Sequence, residues 1–258
     1  MIKIKRLYKK FRIPINDIEI IKKLFFLYDY KTLNLLNNEF YSLKDINFEV
    51  KTGEKVFVLG SSGSGKTTLF SILSNKINHD EGSIEKSNNF FSSTLINMPP
   101  NLFPRLKLEN FIKILLSFYI VEKKIDCKKF IINSLNIDKA YLNTNFYEMD
   151  KSLFKSIIFS ISCMTNYKIY LFDNFNFDFT NDIFINLWKK FKLITKDKTC
   201  LFFSCNNFKF IKENADKVLI LENSQIKKFD LIRNFTDEEL TSNMKKNNDQ
   251  DYIEEDEM

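Results

Sequence analysis

Gly60-Ser61-Ser62-Gly63-Ser64-Gly65-Lys66-Thr67 decides the reading of this 258-residue chain. The string fits G-x-x-x-x-G-K-[ST], the pattern of a phosphate-binding loop. All five glycines of the chain fall between residues 53 and 82, and three of them stand inside this string, so chance accounts poorly for the match. The physical demand is specific: backbone N–H groups must converge on a phosphate at close range. That needs residues that tolerate φ > 0 and place no Cβ in the way. Lys66 is expected to reach the β- and γ-phosphates, and the Thr67 hydroxyl to ligate Mg²⁺. The pattern predicts binding of a nucleoside triphosphate, with Gly60 to Thr67 and the adjacent Thr68 around the phosphates.

The flanking sequence agrees. Val56-Phe57-Val58-Leu59 is a β-branched and aromatic run of strand type that leads straight into the loop. Thr67 to Lys76 carries apolar residues at Leu69, Ile72 and Leu73, as an amphipathic helix needs. The N-terminal end of that helix adds a positive dipole beside the phosphates. Further on, Lys168-Ile169-Tyr170-Leu171-Phe172-Asp173 reads as a buried strand ending in an acid. Such a strand delivers one carboxylate to the sheet edge, where it can hold the same Mg²⁺ that Thr67 touches.

Other segments set the architecture. Residues 1–11 read as a strand, followed by a basic amphipathic stretch to about Asn38. Tyr41 to Val50 alternates Leu43, Ile46, Phe48 and Val50 and reads as a second strand. Asp80 to Ile84 marks a turn into another strand, and Pro99, Pro100 and Pro104 break the chain into a loop. Residues 108–165 are mostly helical by pattern. A helix at about 181–196 and strands at Cys200–Ser204 and Lys217–Leu221 complete the set, with Leu187, Trp188 and Phe191 as a buried helix face. The alternation predicts an α/β fold with a mostly parallel core sheet and a helical insertion between loop and acid. One domain is expected over 1–235, with its helical part at about 105–165. Residues 236–258 are expected to be a disordered acidic tail.

Composition narrows the function classes. The net charge of +6 divides unevenly: residues 237–258 carry nine acidic and two basic side chains, so the remainder stands at +13. A basic body favours an anionic partner. Yet no Arg- and aromatic-rich recognition motif appears, and nucleic acid is not expected as a partner. Lys, Asn, Ile and Phe dominate throughout, so individual Phe and Lys residues carry little weight. Four cysteines without C-x-x-C pairing, and a single histidine, His79, argue against a zinc site or a disulfide framework. The longest apolar stretch, Ile112 to Val121, is interrupted by Lys113 and too short to span a bilayer. Any membrane association is expected to be peripheral.

Together these residues resemble the ATP-binding subunit of an ABC transporter. Leu43 to Glu54 looks like that family's lead-in to the phosphate loop, Leu102 to Asn110 like the stretch after its Q-loop, and Asn166 to Asp173 like its Walker B strand. The long insertion between the first strand and Leu43 is similar to the subfamily that exports O-antigen, capsule and teichoic-acid-type polymers. The resemblance implies a P-loop fold of ABC type with an antiparallel β portion, and ATP and Mg²⁺ as cofactors. It also implies a homo- or heterodimer of ATP-binding subunits, a separate membrane-spanning permease, and a place on the inner face of the cell membrane. Phe11, or less well Tyr8, falls where the family stacks an aromatic ring on adenine.

The chain also departs from the pattern. Directly after Asp173, where the family places the glutamate that polarises the attacking water, stands Asn174. Asn can hold a water but cannot accept its proton, and general-base help is worth roughly 10²–10⁴-fold. The family's switch histidine falls on Cys205. Its L-S-G-G-Q signature falls on Met149-Asp150-Lys151-Ser152-Leu153, its Q-loop glutamine near Met98 and its D-loop aspartate on Thr180. Three expectations follow: slow hydrolysis with Asn174 ordering the water, a degenerate member of an asymmetric dimer, or an ATP-driven assembly switch. A soluble ABC-type protein not tied to transport is a further alternative.

Overall fold

The structure, a computed structural model, describes residues 1–12, 33–34, 39–93, 106–120, 126–138, 141–145, 151–173, 182–203 and 208–245. The proline loop at 99–104, Met98, Asn174, Thr180, Cys205 and residues 246–258 lie outside them, as do most of the basic stretch and Met149 and Asp150 of the signature position.

Among the described residues, ten strands form two sheets: β1 (Ile2–Arg12), β2 (Leu33–Asn34), β3 (Glu39–Val50), β4 (Lys55–Leu59), β5 (Glu81–Lys86), β6 (Phe90–Ser92), β7 (Ile169–Phe172), β8 (Thr199–Phe203), β9 (Lys217–Glu222) and β10 (Gln225–Leu231). One sheet has the order β2-β3-β1-β5, the other β10-β9-β4-β8-β7-β6. In the first, each strand runs antiparallel to its neighbour. In the second, β6, β7, β8, β4 and β9 are parallel and only the β9–β10 hairpin is antiparallel. This is the α/β P-loop fold of ABC type, with a mixed sheet and helical insertions.

The helices are α1 (Lys66–Leu73), α2 (Leu108–Phe118), α3 (Cys127–Ser134), α4 (Lys151–Ser162), α5 (Asp182–Ile194), α6 (Phe208–Asn214) and α7 (Asp237–Lys245). The parallel strands are apolar at nearly every position because both faces of their sheet are covered. Val56, Val58, Ile169, Leu171, Leu219 and Leu221 face a core shared with α1 and the antiparallel sheet. The alternate residues Phe57, Leu59, Tyr170, Phe172, Val218 and Ile220 face a second core shared with α2 to α6. Here the abundant phenylalanine has a use. Phe91, Phe159, Phe172, Trp188 and Phe191 form a continuous aromatic cluster. Leu187, Trp188 and Phe191 are buried in it, as the periodicity predicts.

Three strands, β2, β6 and β10, and two helices, α6 and α7, are not legible in the sequence. β6 has three residues, too few for a period to show, and β10 alternates weakly at a sheet edge. The larger difference is α7, which occupies Asp237–Lys245, where the tail was expected to begin without structure. Leu240 there is fully buried, and the helix opens on a reciprocal capping box. Glu239 N–H donates to Thr236 Oγ1 at 3.1 Å, and Thr236 N–H donates to Glu239 Oε2 at 2.9 Å. Lys228 Nζ adds 2.9 Å bonds to both Glu239 oxygens. The Thr236→Ala variant is expected to lower global stability by about 1 kcal/mol, the usual loss for an N-cap. Denaturant titration measures it; no change in midpoint would mean that α7 unfolds independently of the body.

Candidate functional site

The phosphate loop emerges from the C-terminal end of β4, and α1 opens directly after it. Strand β7 runs parallel to β4 with β8 between them, in register Phe172↔Phe202 and Phe57↔Phe202. Asp173, one residue past β7, therefore lies at the same sheet edge as the loop. Topology alone brings together two motifs more than 100 residues apart. Cys205 follows β8 by two residues, outside the described residues, as does Asn174 after Asp173.

Lys66 is the electrostatic centre. Its side chain is buried, only 4% exposed, and its ammonium donates to Gly60 O at 2.7 Å, Ser61 O at 2.5 Å and Ser64 Oγ at 3.1 Å. Burial pulls its pKa down to about 8, while the nearby Asp173 carboxylate pushes the other way. A partly desolvated cation enclosed by carbonyls is poised to gain from an incoming anion. The loop around it needs its glycines. A Cβ on Gly60 would run into the Leu221 carbonyl of β9, and one on Gly65 into the Ser42 carbonyl of β3; both residues have positive φ, +147° and +101°. Ser62, Gly63 and Thr67 face solvent, and Ser64 is buried.

Gly65 caps α1, and its carbonyl accepts from Leu69 N–H at 2.9 Å. The amides of Lys66, Thr67 and Thr68 thus belong to the first turn, where helix geometry offers no internal acceptor. The Thr68 hydroxyl is engaged with Ser42 Oγ, 2.6 Å away. Ser42 was not singled out by sequence. Neither was Ser93, whose Oγ accepts from Asp173 N–H at 2.9 Å and fixes the acid's backbone. No local signal marks either serine, since the partners are 26 and 80 residues away.

Phe11 sits near the end of β1, opposite Phe40, with ring centroids 5.9 Å apart and the Lys9 ammonium 5.4 Å from its ring. Phe40 lies two residues before Ser42, about 7 Å along the strand at ~3.3 Å per residue. Tyr8 packs edge-on against Tyr41. His79 is half-buried beside Asp80, whose carboxylate accepts from Lys9 Nζ and Lys10 N–H.

Magnesium suits the donor set. A hydroxyl on Thr67 and a carboxylate on Asp173 are hard oxygen ligands, and Mg²⁺ characteristically takes one or two such side chains and completes its shell from phosphates and water. When bound, it would neutralise charge on the β- and γ-phosphates.

A parallel sheet whose central strand runs into a glycine-rich loop, with a buried lysine opposed by a strand-end aspartate, defines a P-loop nucleoside triphosphatase. The family model "ABC transporter" matches residues 43–174, about half of the chain, and the protein belongs to that family as an ATP-binding subunit. Among curated proteins, the chain is 30% identical over 226 residues to the teichoic acids export ATP-binding protein TagH of Shouchella clausii. That match covers 86% of this chain but only 60% of TagH. The fold is similar to that of the ATP-binding cassette MJ0796, solved as a dimer with ADP and phosphate. The TM-score is 0.64 at 16% identity, over 91% of this chain and 100% of that one. It is also similar to an ATP-binding subunit of an ABC transporter, with a TM-score of 0.63 at 14% identity over 98% of each chain. No helix among the described residues is long and apolar enough to cross a membrane.

Proposed function

We propose that this chain binds MgATP at residues 60–68 and couples it to export of a substrate through a separate membrane-spanning permease, as one half of an ATP-dependent dimer. The observation that carries the reading is the buried Lys66 ammonium, enclosed by loop acceptors and opposed by Asp173. In this reading Lys66 draws in the γ-phosphate, the loop amides cradle the β-phosphate, and Thr67 and Asp173 hold Mg²⁺. Phe11 offers a ring to the base. The length and similarity of the match to TagH support a cell-surface polymer as the exported substrate, and with it a peripheral position on the inner face of the membrane.

A second reading has its own support in sequence. Asn174 and Cys205 stand where the family's glutamate and histidine belong, which favours a subunit that binds ATP and barely hydrolyses it. Steady-state phosphate release with MgATP, beside Lys66→Ala as the background control, separates the two. Slow turnover that vanishes in the variant is expected, with Asn174 ordering the water. Tight MgATP binding without any release above the control would establish the switch or partner role instead. Failure of the folded protein to bind MgATP would sink both.

The depressed Lys66 gives a pH signature. An incoming triphosphate stabilises the ammonium, so its pKa rises in the complex above the free value of about 8. Below that pH the lysine is protonated in both states, and affinity is flat on this account. Above it the free protein has lost the proton and must regain it on binding, so Kd is expected to rise toward about tenfold per pH unit. Calorimetric titration between pH 7.5 and 9.5 tests this; a flat Kd across that range contradicts it.

A further inference from the structure

The β9–β10 hairpin touches the phosphate loop twice, once directly and once through β3. Its two-residue turn, Asn223-Ser224, has φ of +50° and +64°. Turns with both central residues at positive φ favour glycine, above all at the second position. A serine there holds a left-handed conformation that L residues disfavour. Its side chain shows what glycine lacks. Ser224 is buried, 6% exposed, and its hydroxyl donates to Tyr41 O at 2.7 Å, while its carbonyl accepts from Lys44 N–H at 2.7 Å. The two bonds grip β3 on either side of Ser42.

Ser42 is the residue of β3 that meets the loop. Its carbonyl stands where a Cβ on Gly65 would be, and its hydroxyl is 2.6 Å from Thr68 Oγ1 at the start of α1. At the loop's entrance, the carbonyl of Leu221, from the same hairpin, stands against Gly60. The hairpin thus bounds the loop at its first glycine directly and at its last glycine through Tyr41, Ser42 and Lys44. Loop, β3 and hairpin close a ring of contacts.

We infer that Ser224 is a positioning residue for the phosphate loop, acting through Ser42 and never touching the nucleotide. It sets the distance between the Gly60 and Gly65 ends of the cradle, and so the convergence of the amides. The inference rests on the reading of residues 60–68 as the triphosphate site.

Ser224→Gly separates this role from mere stapling of the two sheets. Glycine accepts the positive φ without strain but removes the hydroxyl. MgATP affinity is expected to weaken about fivefold, the equivalent of one net hydrogen bond of ~1 kcal/mol, with the thermal midpoint unchanged or raised. Ser224→Ala removes the same hydroxyl while keeping the strained turn, and is expected to lose the same factor in affinity. Ser42→Ala should give a similar loss. The Ser42→Ala/Ser224→Gly double variant should be no weaker than the weaker single one, because both lie on one path. Wild-type affinity in both Ser224 variants, whatever their melting temperature, overturns the inference. Losses that multiply in the double variant overturn the path through Ser42. Absence of MgATP binding in the wild-type protein would instead overturn the underlying site reading, and shows before any variant is compared.

Discussion

Replacing Asn174 with glutamate is expected to raise steady-state ATP turnover about 100-fold or more, since general-base assistance is typically worth 10²–10⁴-fold. Asn174 directly follows Asp173, the position at which the family places its water-polarising glutamate. An amide can orient a water through hydrogen bonds, but it offers no site for the proton that must leave. The nucleotide-binding part of the machinery is in place in this reading: Lys66, Thr67 and Asp173 share one sheet edge. The substitution exchanges the amide for a carboxylate and adds one methylene while leaving Lys66, Thr67 and Asp173 untouched, so MgATP affinity should stay within a few fold. Phosphate release is the measurement, with Lys66→Ala in the Asn174→Glu background as control. Equal turnover before and after the change would locate the deficiency elsewhere, at Cys205 or at residues 149–153.

Gly60→Ala is expected to abolish detectable MgATP binding, whereas Gly63→Ala should be tolerated. Both glycines have positive φ, +147° and +74°, so the backbone argument alone treats them alike. Their surroundings do not. A Cβ at position 60 overlaps the Leu221 carbonyl and stands 2.8 Å from Ser64 Oγ, an acceptor of the Lys66 ammonium. Leu221 belongs to a fully buried stretch of β9 paired with β4, so the obstacle is backbone that cannot yield. Either the loop moves off its seat or β9 is displaced, at about 2–4 kcal/mol by analogy with overpacked or strained core sites. At position 63 nothing lies within 4 Å. Alanine there pays only the left-handed strain of about 1–2 kcal/mol, and Kd should change less than about tenfold. Calorimetric titration and thermal melts of the two variants, side by side, decide it. Equal effects would mean that backbone conformation, not the Leu221 contact, sets the glycine requirement.

Local pattern carried much of this protein. The glycine string needs no partner to be read, because the demand for φ > 0 and close phosphate approach is met by consecutive residues. Strands β3, β4 and β7 were legible because hydrophobic alternation, or a continuous apolar run, reports directly on one or two buried faces. The acidic character of the last residues concealed α7, although Thr236 to Glu239 spells its capping box. Net charge averages over a window, and one buried leucine with two reciprocal hydrogen bonds outweighs it locally.

By itself, then, the sequence determined the phosphate loop, the strand that ends at Asp173 and the α/β class. Each depends on backbone preference and periodicity within about ten residues. Only the tertiary structure decided that β8 is the one strand between loop and acid, that Ser93 fixes Asp173, and that Ser42 and Ser224 brace the loop from outside. Those assignments depend on strand order and on hydroxyls meeting partners 26 to 183 residues away. A serine reads the same in sequence whether it faces solvent or closes such a contact, and only the packing of the two sheets tells them apart.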